Sequence, residues 1–171
     1  MSWVYVEDLE KHLGKIVEIR GWVYHRRSSG KIRFLEIRDG TGIVQCVLLK
    51  GEVREEIFEL ADRLPLESSV IIEGEVKADR RAPGGYEIIV KNLKLVHWSE
   101  EYPIQPKEHG IDFLLEHRHL WIRSPRQNAI LRIRHELVKA IRDFFDQRGF
   151  ILLDAPIFTP SACEGTSTLF K

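Results

Sequence analysis

The sequence predicts a small barrel of five β-strands followed by a second segment that mixes helix and strand. Five segments alternate apolar and polar side chains, one amphipathic helical segment lies between the third and fourth, and past residue 107 the apolar period changes from two to 3.6. The predicted strands are residues 16–27, 32–38, 43–49, 69–79 and 86–96, and the predicted helix is residues 52–64. One helix in that gap is the order of an OB-fold, so we expect an all-β five-stranded OB-fold barrel followed by an α+β fragment.

Alternation and turn residues define the individual strands. In the first strand Val17, Ile19 and Val23 share one face, which is expected to line the core. Glycine-rich turns at residues 39–42 and 83–85 separate the second strand from the third and the fourth from the fifth. Each apolar face is therefore expected to point into one common interior.

Composition divides the chain into two predicted domains. Residues 1–98 hold the barrel, residues 99–107 are a polar linker with two prolines, and residues 108–171 form the second domain. A long helix is predicted in the second domain to about residue 148, with Ser124 as its N-cap and Pro125 at its first position.

A wholly apolar stretch, residues 150–153, follows this helix and predicts a short strand buried on both faces. Such a strand needs neighbouring strands, and the sequence contains no further strand segment beside it. We therefore expect that a partner, or a further part of a longer protein, supplies those neighbours.

Composition also argues against several classes of protein. The 26 Lys and Arg residues balance 26 Asp and Glu residues, which argues against a general polyanion binder, although basic residues concentrate at 25–38 and 116–135. The N-terminus does not resemble a signal peptide and no apolar run approaches the roughly 20 residues that cross a bilayer, so we expect a cytoplasmic protein without membrane contact. Cys46 and Cys163 cannot form a disulfide framework, and the histidines at 109–119 lack metal-ligand spacing, so no metal site is predicted.

Phe34 is the residue that most strongly suggests a function. The second strand turns Leu35 and Ile37 to the core, because the opposite choice would bury two charges. Phe34 then lies on the outward face, where we expect Arg33 and Arg38 to flank it. An outward aromatic ring among basic residues is either a side chain half covered by a loop or a stacking platform for an unpaired base.

Two polar side chains are expected on the same outward face as Phe34. Gln45 carries one acceptor and two donors, which suit the Watson–Crick edge of a base, and Glu87 could accept a hydrogen bond from a base amino group. The basic pair Arg26 and Arg27 ends the first strand nearby. These five residues together predict a site for single-stranded nucleic acid.

The first domain resembles the anticodon-binding OB domain of the aspartyl- and asparaginyl-tRNA synthetases. The resemblance rests on these residues: Gly21-Trp22-Val23, Arg26-Arg27, Gly30-Lys31, Phe34, Arg38-Asp39-Gly40 and Gln45. The second domain resembles the start of the class II synthetase catalytic domain, with its motif 1 in the long helix, residues 150–153 and Pro156. Four stretches favour the asparaginyl branch: residues 101–104, 107–110, 117–120 and 161–166.

The resemblance implies roles for individual residues. Phe34 would stack on the central anticodon base and Gln45 would read that base. Contacts with the flanking anticodon bases or their backbone would come from Arg26, Arg27 and Glu87. Pro156 would lie in a homodimer interface formed through motif 1, and Glu164 would meet the ammonium group of the bound amino acid.

The resemblance also implies an enzyme larger than this sequence. The complete protein would be an asparagine–tRNA ligase that uses ATP and Mg²⁺, with asparagine and tRNA-Asn as substrates. The family's motifs 2 and 3 are missing from the 171 residues, so this chain alone is not expected to be catalytically competent. The alternatives are an aspartyl-tRNA synthetase of relaxed tRNA specificity and a free-standing OB-fold RNA-binding module.

Overall fold

A computed structural model describes residues 3–105 and 107–157 of the chain. The chain divides into two compact units, Met1–Gln105 and Pro106–Lys171. The first unit contains all the paired β-strands of the described residues, and the described part of the second unit is helical apart from its connecting segments.

The first unit is a closed five-stranded barrel. Its strands follow the order β1-β2-β3-β5-β4 around the barrel, and β3 pairs with β5 in parallel while the other neighbours are antiparallel. The elements are β1 (Ile16–Ser29), β2 (Ile32–Arg38), β3 (Ile43–Leu49), α1 (Glu55–Arg63), β4 (Ser69–Ala78) and β5 (Tyr86–His97), with 3-10 turns at Val6–His12 and Pro83–Gly85. The predicted OB-fold order is confirmed.

Apolar side chains fill the barrel as the alternation predicts. In β1 the side chains of Val17, Ile19 and Val23 are at most 1% exposed. The first half of β1 pairs with β4 and its second half pairs with β2. The register with β2 shifts between Val23 and His25, as at a β-bulge. The helix α1 begins three residues later than predicted, because Val53 is buried in the core without being helical.

Asp39, in the Arg38-Asp39-Gly40 motif at the end of β2, has a structural role. Its carboxylate accepts hydrogen bonds from the backbone N–H groups of Thr41 and Gly42, at 2.7 and 2.9 Å, and from that of Val6 at 2.9 Å. Asp39 thus holds the β2–β3 turn and ties the N-terminal 3-10 turn to the barrel. The motif has a structural reason here that does not depend on a ligand.

The second unit begins with two short helices that the sequence analysis did not predict, α2 (Ile111–Glu116) and α3 (Arg118–Trp121). The long helix α4 (Pro125–Asp146) follows, and its N-cap forms as predicted, since the Ser124 hydroxyl accepts from the Gln127 N–H at 3.4 Å. Within the described part of the chain, no helix has both the length and the apolar character needed to cross a membrane.

The predicted buried strand at residues 150–153 does not form. These four residues pair with no strand among the described residues, and their side chains are between 56% and 93% exposed. The prediction is wrong for this chain because a strand acquires burial and hydrogen bonds only from neighbours. Pro156 is also exposed.

Gly74 in β4 is expected to tolerate no side chain. A Cβ at this position would lie 2.4 Å from the Ile89 carbonyl oxygen and 2.5 Å from Ile88 Cγ2. Gly74→Ala should therefore lower the free energy of unfolding by about 1–3 kcal/mol, measured by urea denaturation. Gly40→Ala is the matched control, because a Cβ there meets nothing within 4 Å. Equal stability of the two variants would contradict this packing argument.

Candidate nucleic-acid interface

One outward side of the barrel brings together side chains from four strands. Arg27 of β1 pairs with Phe34 of β2, which pairs with Val47 of β3. In the neighbouring row Glu36 pairs with Gln45, and Gln45 pairs with Glu87 of β5. We call this surface, defined by Arg27, Phe34, Gln45 and Glu87, the Phe34 face.

Phe34 lies outside the barrel, as the alternation predicts. Its neighbours in sequence alternate with it, so that Leu35 is fully buried while Phe34 is partly exposed. The cross-strand neighbour Val47 is only 6% exposed although it belongs to the outward row. Val47 thus gives the ring an apolar cross-strand neighbour on the outward side of the barrel.

The guanidinium of Arg27 covers the Phe34 ring. Its Cζ atom lies 4.3 Å from the ring centroid, within the range of a cation–π interaction. A base that stacks on this ring must either displace the guanidinium or enter between the two groups. Both arrangements leave Arg27 beside the nucleotide, with a charge available for a phosphate.

Gln45 and Glu87 form a hydrogen-bonded pair on the Phe34 face. The Gln45 amide nitrogen Nε2 donates to the Glu87 carboxylate oxygen Oε2 at 3.1 Å. Their strands pair in parallel, and the two residues stand opposite each other in that register. Long side chains at facing positions of adjacent strands are in contact by geometry, so the pairing of β3 with β5 is the cause of this hydrogen bond.

Arg26 and Arg33 do not join the Phe34 face. The Arg26 guanidinium donates to the backbone carbonyl of Asp62 at the end of α1. Arg33 lies 4.3 Å above the Phe58 ring of the same helix, and its Nε is 3.2 Å from the Asp62 carboxylate. Both arginines point to the side of the sheet that meets α1, so the expectation that Arg33 flanks the Phe34 ring is wrong.

Arg38 shares the outward side of β2 with Phe34, but its charge has a partner. Its guanidinium donates to both carboxylate oxygens of Glu67 at 2.8 Å, and it lies 5.3 Å from the centre of the Tyr24 ring. The Arg38 and Glu67 side chains are 14% and 7% exposed. A mostly buried bidentate ion pair serves the barrel, so Arg38 does not provide the expected basic flank.

Arg80 and Arg81 are basic residues that the sequence analysis did not include among the candidates. Both are exposed in the β4–β5 connection, which ends two residues before Glu87, and Arg81 pairs with Asp79 at 3.2 Å. OB-folds bind oligonucleotides with strands β2 and β3 and with the β1–β2 and β4–β5 loops. Two adjacent arginines in a connection of that kind are the sequence feature from which this loop could have been predicted as part of the candidate interface.

Cys46 lies in the apolar core of the barrel. Cys46 is fully buried, and this burial, with a smaller effect from the Glu87 charge, raises the pKa of its thiol far above the usual value. Cys46 therefore packs as an apolar side chain.

Across residues 3–105 and 107–157, no group of three or more His, Cys, Asp or Glu could hold a metal ion. Cys163 and Glu164 lie outside the described residues.

Comparison with known proteins gives the same division of the chain. Residues 17–96 match the family of OB-fold nucleic acid binding domains called tRNA anti-codon, and residues 110–171 match the class II tRNA synthetases for D, K and N. The chain is 56% identical over 169 residues to the asparagine–tRNA ligase of Sorangium cellulosum and 54% identical to that of Thermus thermophilus. These matches cover 98% of the chain and 38% and 39% of the two relatives, so the chain spans about two fifths of their length.

The solved structures agree with the sequence matches. The asparaginyl-tRNA synthetase of Pyrococcus horikoshii, complexed with asparaginyl-adenylate, aligns with a TM-score of 0.85 and 44% identity over 98% of this chain and 39% of its own. The first unit is thus an OB-fold nucleic-acid-binding domain of the anticodon-binding type. The chain belongs to the class II aminoacyl-tRNA synthetase family, within its asparaginyl branch, and corresponds to the N-terminal portion of those proteins.

Proposed function

We propose that this chain binds the anticodon loop of tRNA-Asn through the Phe34 face, as part of a complete asparagine–tRNA ligase. The observation that carries the proposal is Phe34 itself, an aromatic ring outside the barrel with a hydrogen-bonding amide on the adjacent strand. An unpaired base gains stacking energy on such a ring whatever its identity, and the neighbouring amide adds the choice of base.

Each candidate residue has a proposed part in this contact. Phe34 stacks on the central anticodon base, and Gln45 hydrogen-bonds to the Watson–Crick edge of that base. Arg27, already over the ring, contacts the flanking backbone. Arg26 is a second backbone contact, which requires it to leave the Asp62 carbonyl. Glu87 lies beside Gln45, where it meets a flanking base.

The reaction of the complete protein is part of the same proposal. Such a protein activates asparagine with ATP and Mg²⁺ and transfers it to tRNA-Asn in the cytoplasm, with Glu164 binding the amino acid's ammonium group. Support comes from the asparagine–tRNA ligases that match the whole chain. Under this proposal, ATP and Mg²⁺ are bound by the catalytic residues of the complete protein.

Homodimerisation is proposed through the motif 1 region of the second unit. The side of α4 that carries Ile130, Ile133, Leu137 and Ile141 is 46% to 69% exposed, and Pro156 follows in an exposed segment. An apolar helix face of this kind is stable in water only when another surface covers it. A second copy of the complete protein is the proposed cover.

The aspartyl alternative is less well supported than the asparaginyl one. Support for the asparaginyl branch comes from asparagine–tRNA ligases that are 56% identical over 98% to 100% of this chain. Charging assays with the complete protein separate the two, since we expect asparagine and not aspartate to be attached to tRNA-Asn. The free-standing module is disfavoured by the synthetase match of residues 110–171.

Phe34→Ala is expected to weaken binding of an anticodon stem-loop by about 1–3 kcal/mol, because it removes the stacking platform. The affinity is measured by titrating the chain with a fluorescent stem-loop. Trp3→Ala is the control, since Trp3 is also exposed but lies against Tyr5 and Arg20, away from the Phe34 face. Unchanged affinity in Phe34→Ala would contradict the proposed stacking.

Arg27→Ala is expected to reduce the salt dependence of binding. One lost phosphate contact on single-stranded RNA lowers the slope of log K against log salt by roughly 0.7, measured from titrations at several salt concentrations. Arg26→Ala should have the same effect if the Arg26 guanidinium leaves the Asp62 carbonyl and contacts a phosphate when RNA binds. Arg20→Ala is the control, because Arg20 is bonded to Glu18 at 2.7 Å on another part of β1. A slope equal to that of the parent in Arg27→Ala would exclude this contact.

The double variant Ile133→Lys with Leu137→Lys is expected to convert the complete protein from dimer to monomer, because it places two charges in the proposed interface. Sedimentation velocity measures the change. His135→Lys introduces a charge on the opposite side of the same helix, beside Lys139, and should leave the dimer intact. A double variant that remains dimeric would show that another surface holds the two copies together.

A further inference from the structure

We propose that Ser68 is a positioning residue that fixes the first part of the linker to the barrel, so that this part acts as a rigid arm during the charging of tRNA. The arm is residues 99–105, which follow β5 and end where the first unit ends. The inference rests on the proposed function, because it concerns how the complete protein uses an RNA that is bound to the barrel. It concerns residues outside the Phe34 face.

Ser68 holds the arm through a hydrogen bond to its first residue. The Ser99 backbone N–H donates to the Ser68 hydroxyl oxygen at 3.1 Å, although the two residues are 31 positions apart in the sequence. Within residues 3–105 and 107–157, Ser68 is the one polar or charged residue that is fully buried. A buried hydroxyl requires a hydrogen-bond partner, and here the backbone of the arm is that partner.

The backbone around Ser68 is itself held by the first two strands. The Ser68 carbonyl oxygen accepts from the Val23 N–H of β1 at 2.9 Å, and the Val23 carbonyl oxygen accepts from the Glu67 N–H at 2.7 Å. The Arg38 guanidinium of β2 donates to both carboxylate oxygens of Glu67 at 2.8 Å. The anchor of the arm is therefore fixed to two of the strands that carry the Phe34 face.

Glu67 shows how strongly this junction is determined. Its φ is +66°, in the left-handed region, and it is the one non-glycine residue with a positive φ in the part of the chain that the structure describes. A side chain in this region is disfavoured and persists only where the surrounding contacts hold it. The bonds to Val23 and Arg38 are such contacts, so they determine where Ser68 lies.

The arm also has order of its own beyond this anchor. The Gln105 side-chain amide nitrogen donates to the Tyr102 carbonyl oxygen, which closes a turn at the end of the arm. Pro103 lies inside this turn, and its ring fixes one backbone dihedral angle. The arm accordingly belongs to the compact first unit, whose boundary follows Gln105.

A fixed arm matters because, in the proposed function, one tRNA contacts both parts of the complete enzyme. Its anticodon loop binds the barrel, while its acceptor end is charged in the catalytic part. Relative positions that the two parts can adopt in the free protein are lost when both contacts form, and this loss opposes binding. An arm that is already fixed reduces this cost and thus favours charging without any further contact with RNA.

The test compares three activities of Ser68→Ala with those of the parent. The kcat/KM of the complete protein for charging tRNA should fall roughly two- to tenfold, the range that one net hydrogen bond contributes. Asparagine-dependent exchange of pyrophosphate into ATP, assayed without tRNA, should be unchanged. Binding of an anticodon stem-loop to the 171-residue chain should also be unchanged, because Ser68 lies outside the Phe34 face.

A second variant removes the same bond from its other end. Ser99→Pro lacks the N–H that donates to Ser68, whereas Ser99→Ala keeps it and is the matched control. Ser69→Ala is the matched control for Ser68→Ala, because it removes the neighbouring hydroxyl on the partly exposed side of β4. We expect Ser99→Pro to match Ser68→Ala in all three activities and both controls to match the parent.

Amide hydrogen exchange in the 171-residue chain measures the anchor directly. The Ser99 N–H should exchange faster in Ser68→Ala than in the parent, because its acceptor has been removed. The same amide should keep the parent's exchange rate in Ser69→Ala. Equal exchange in Ser68→Ala and the parent would show that this bond does not hold the arm.

The outcomes separate this inference from the proposed function. If the parent complete protein does not charge tRNA with asparagine, the proposed function fails and the inference fails with it. If it charges tRNA and both Ser68→Ala and Ser99→Pro charge it equally well, the inference alone is overturned. A matching loss of stem-loop binding or of pyrophosphate exchange in Ser68→Ala would assign the effect to the barrel or to the catalytic part, and either result excludes positioning through the arm.

Discussion

The parallel pairing of β3 with β5 is the contact on which the barrel and its outer surface both depend. It closes a sheet that would otherwise have two open edges, and it joins the first half of the barrel sequence to the last strand. The same pairing brings Gln45 to Glu87 although they are 42 residues apart. One backbone register thus removes an open edge of the sheet and also places an amide beside a carboxylate on the outer surface of the barrel.

Much of this arrangement could be predicted from the sequence, because alternation with a period of two fixes which side of each strand is buried. The bounds of β2 and β3 and the outward position of Phe34 follow from that rule alone. The partners of Arg33 and Arg38 could not be predicted in this way. Their acids, Asp62 and Glu67, are 29 residues away at each pair, and only the folded barrel decides which basic side chain reaches which carboxylate.

Charge compensation within the barrel limits how much positive charge it could offer to the proposed RNA partner. Arg33 and Arg38 pair with Asp62 and Glu67 inside the barrel domain. Arg27 instead lies over an aromatic ring, and no carboxylate of the described residues is within ion-pair distance of it. The proposed RNA contact would then depend on stacking and on the Gln45 amide more than on a broad positive surface. Such a site discriminates between bases by the hydrogen bonds it leaves unmade, because an unmatched polar group that loses water costs more than a matched one gains.

The two units differ in how much of their apolar side-chain surface each one buries by itself. The barrel buries its apolar residues within about a hundred residues of chain, since its closed sheet needs no other neighbour. In the second unit the α4 face and residues 150–153 remain exposed, and Ile151 and Leu153 are 93% and 90% exposed. An apolar strand sequence encodes burial without encoding its neighbours, so the prediction at residues 150–153 described a state that requires further chains or further sequence. The relatives, of which this chain spans about two fifths, are long enough to supply such neighbours.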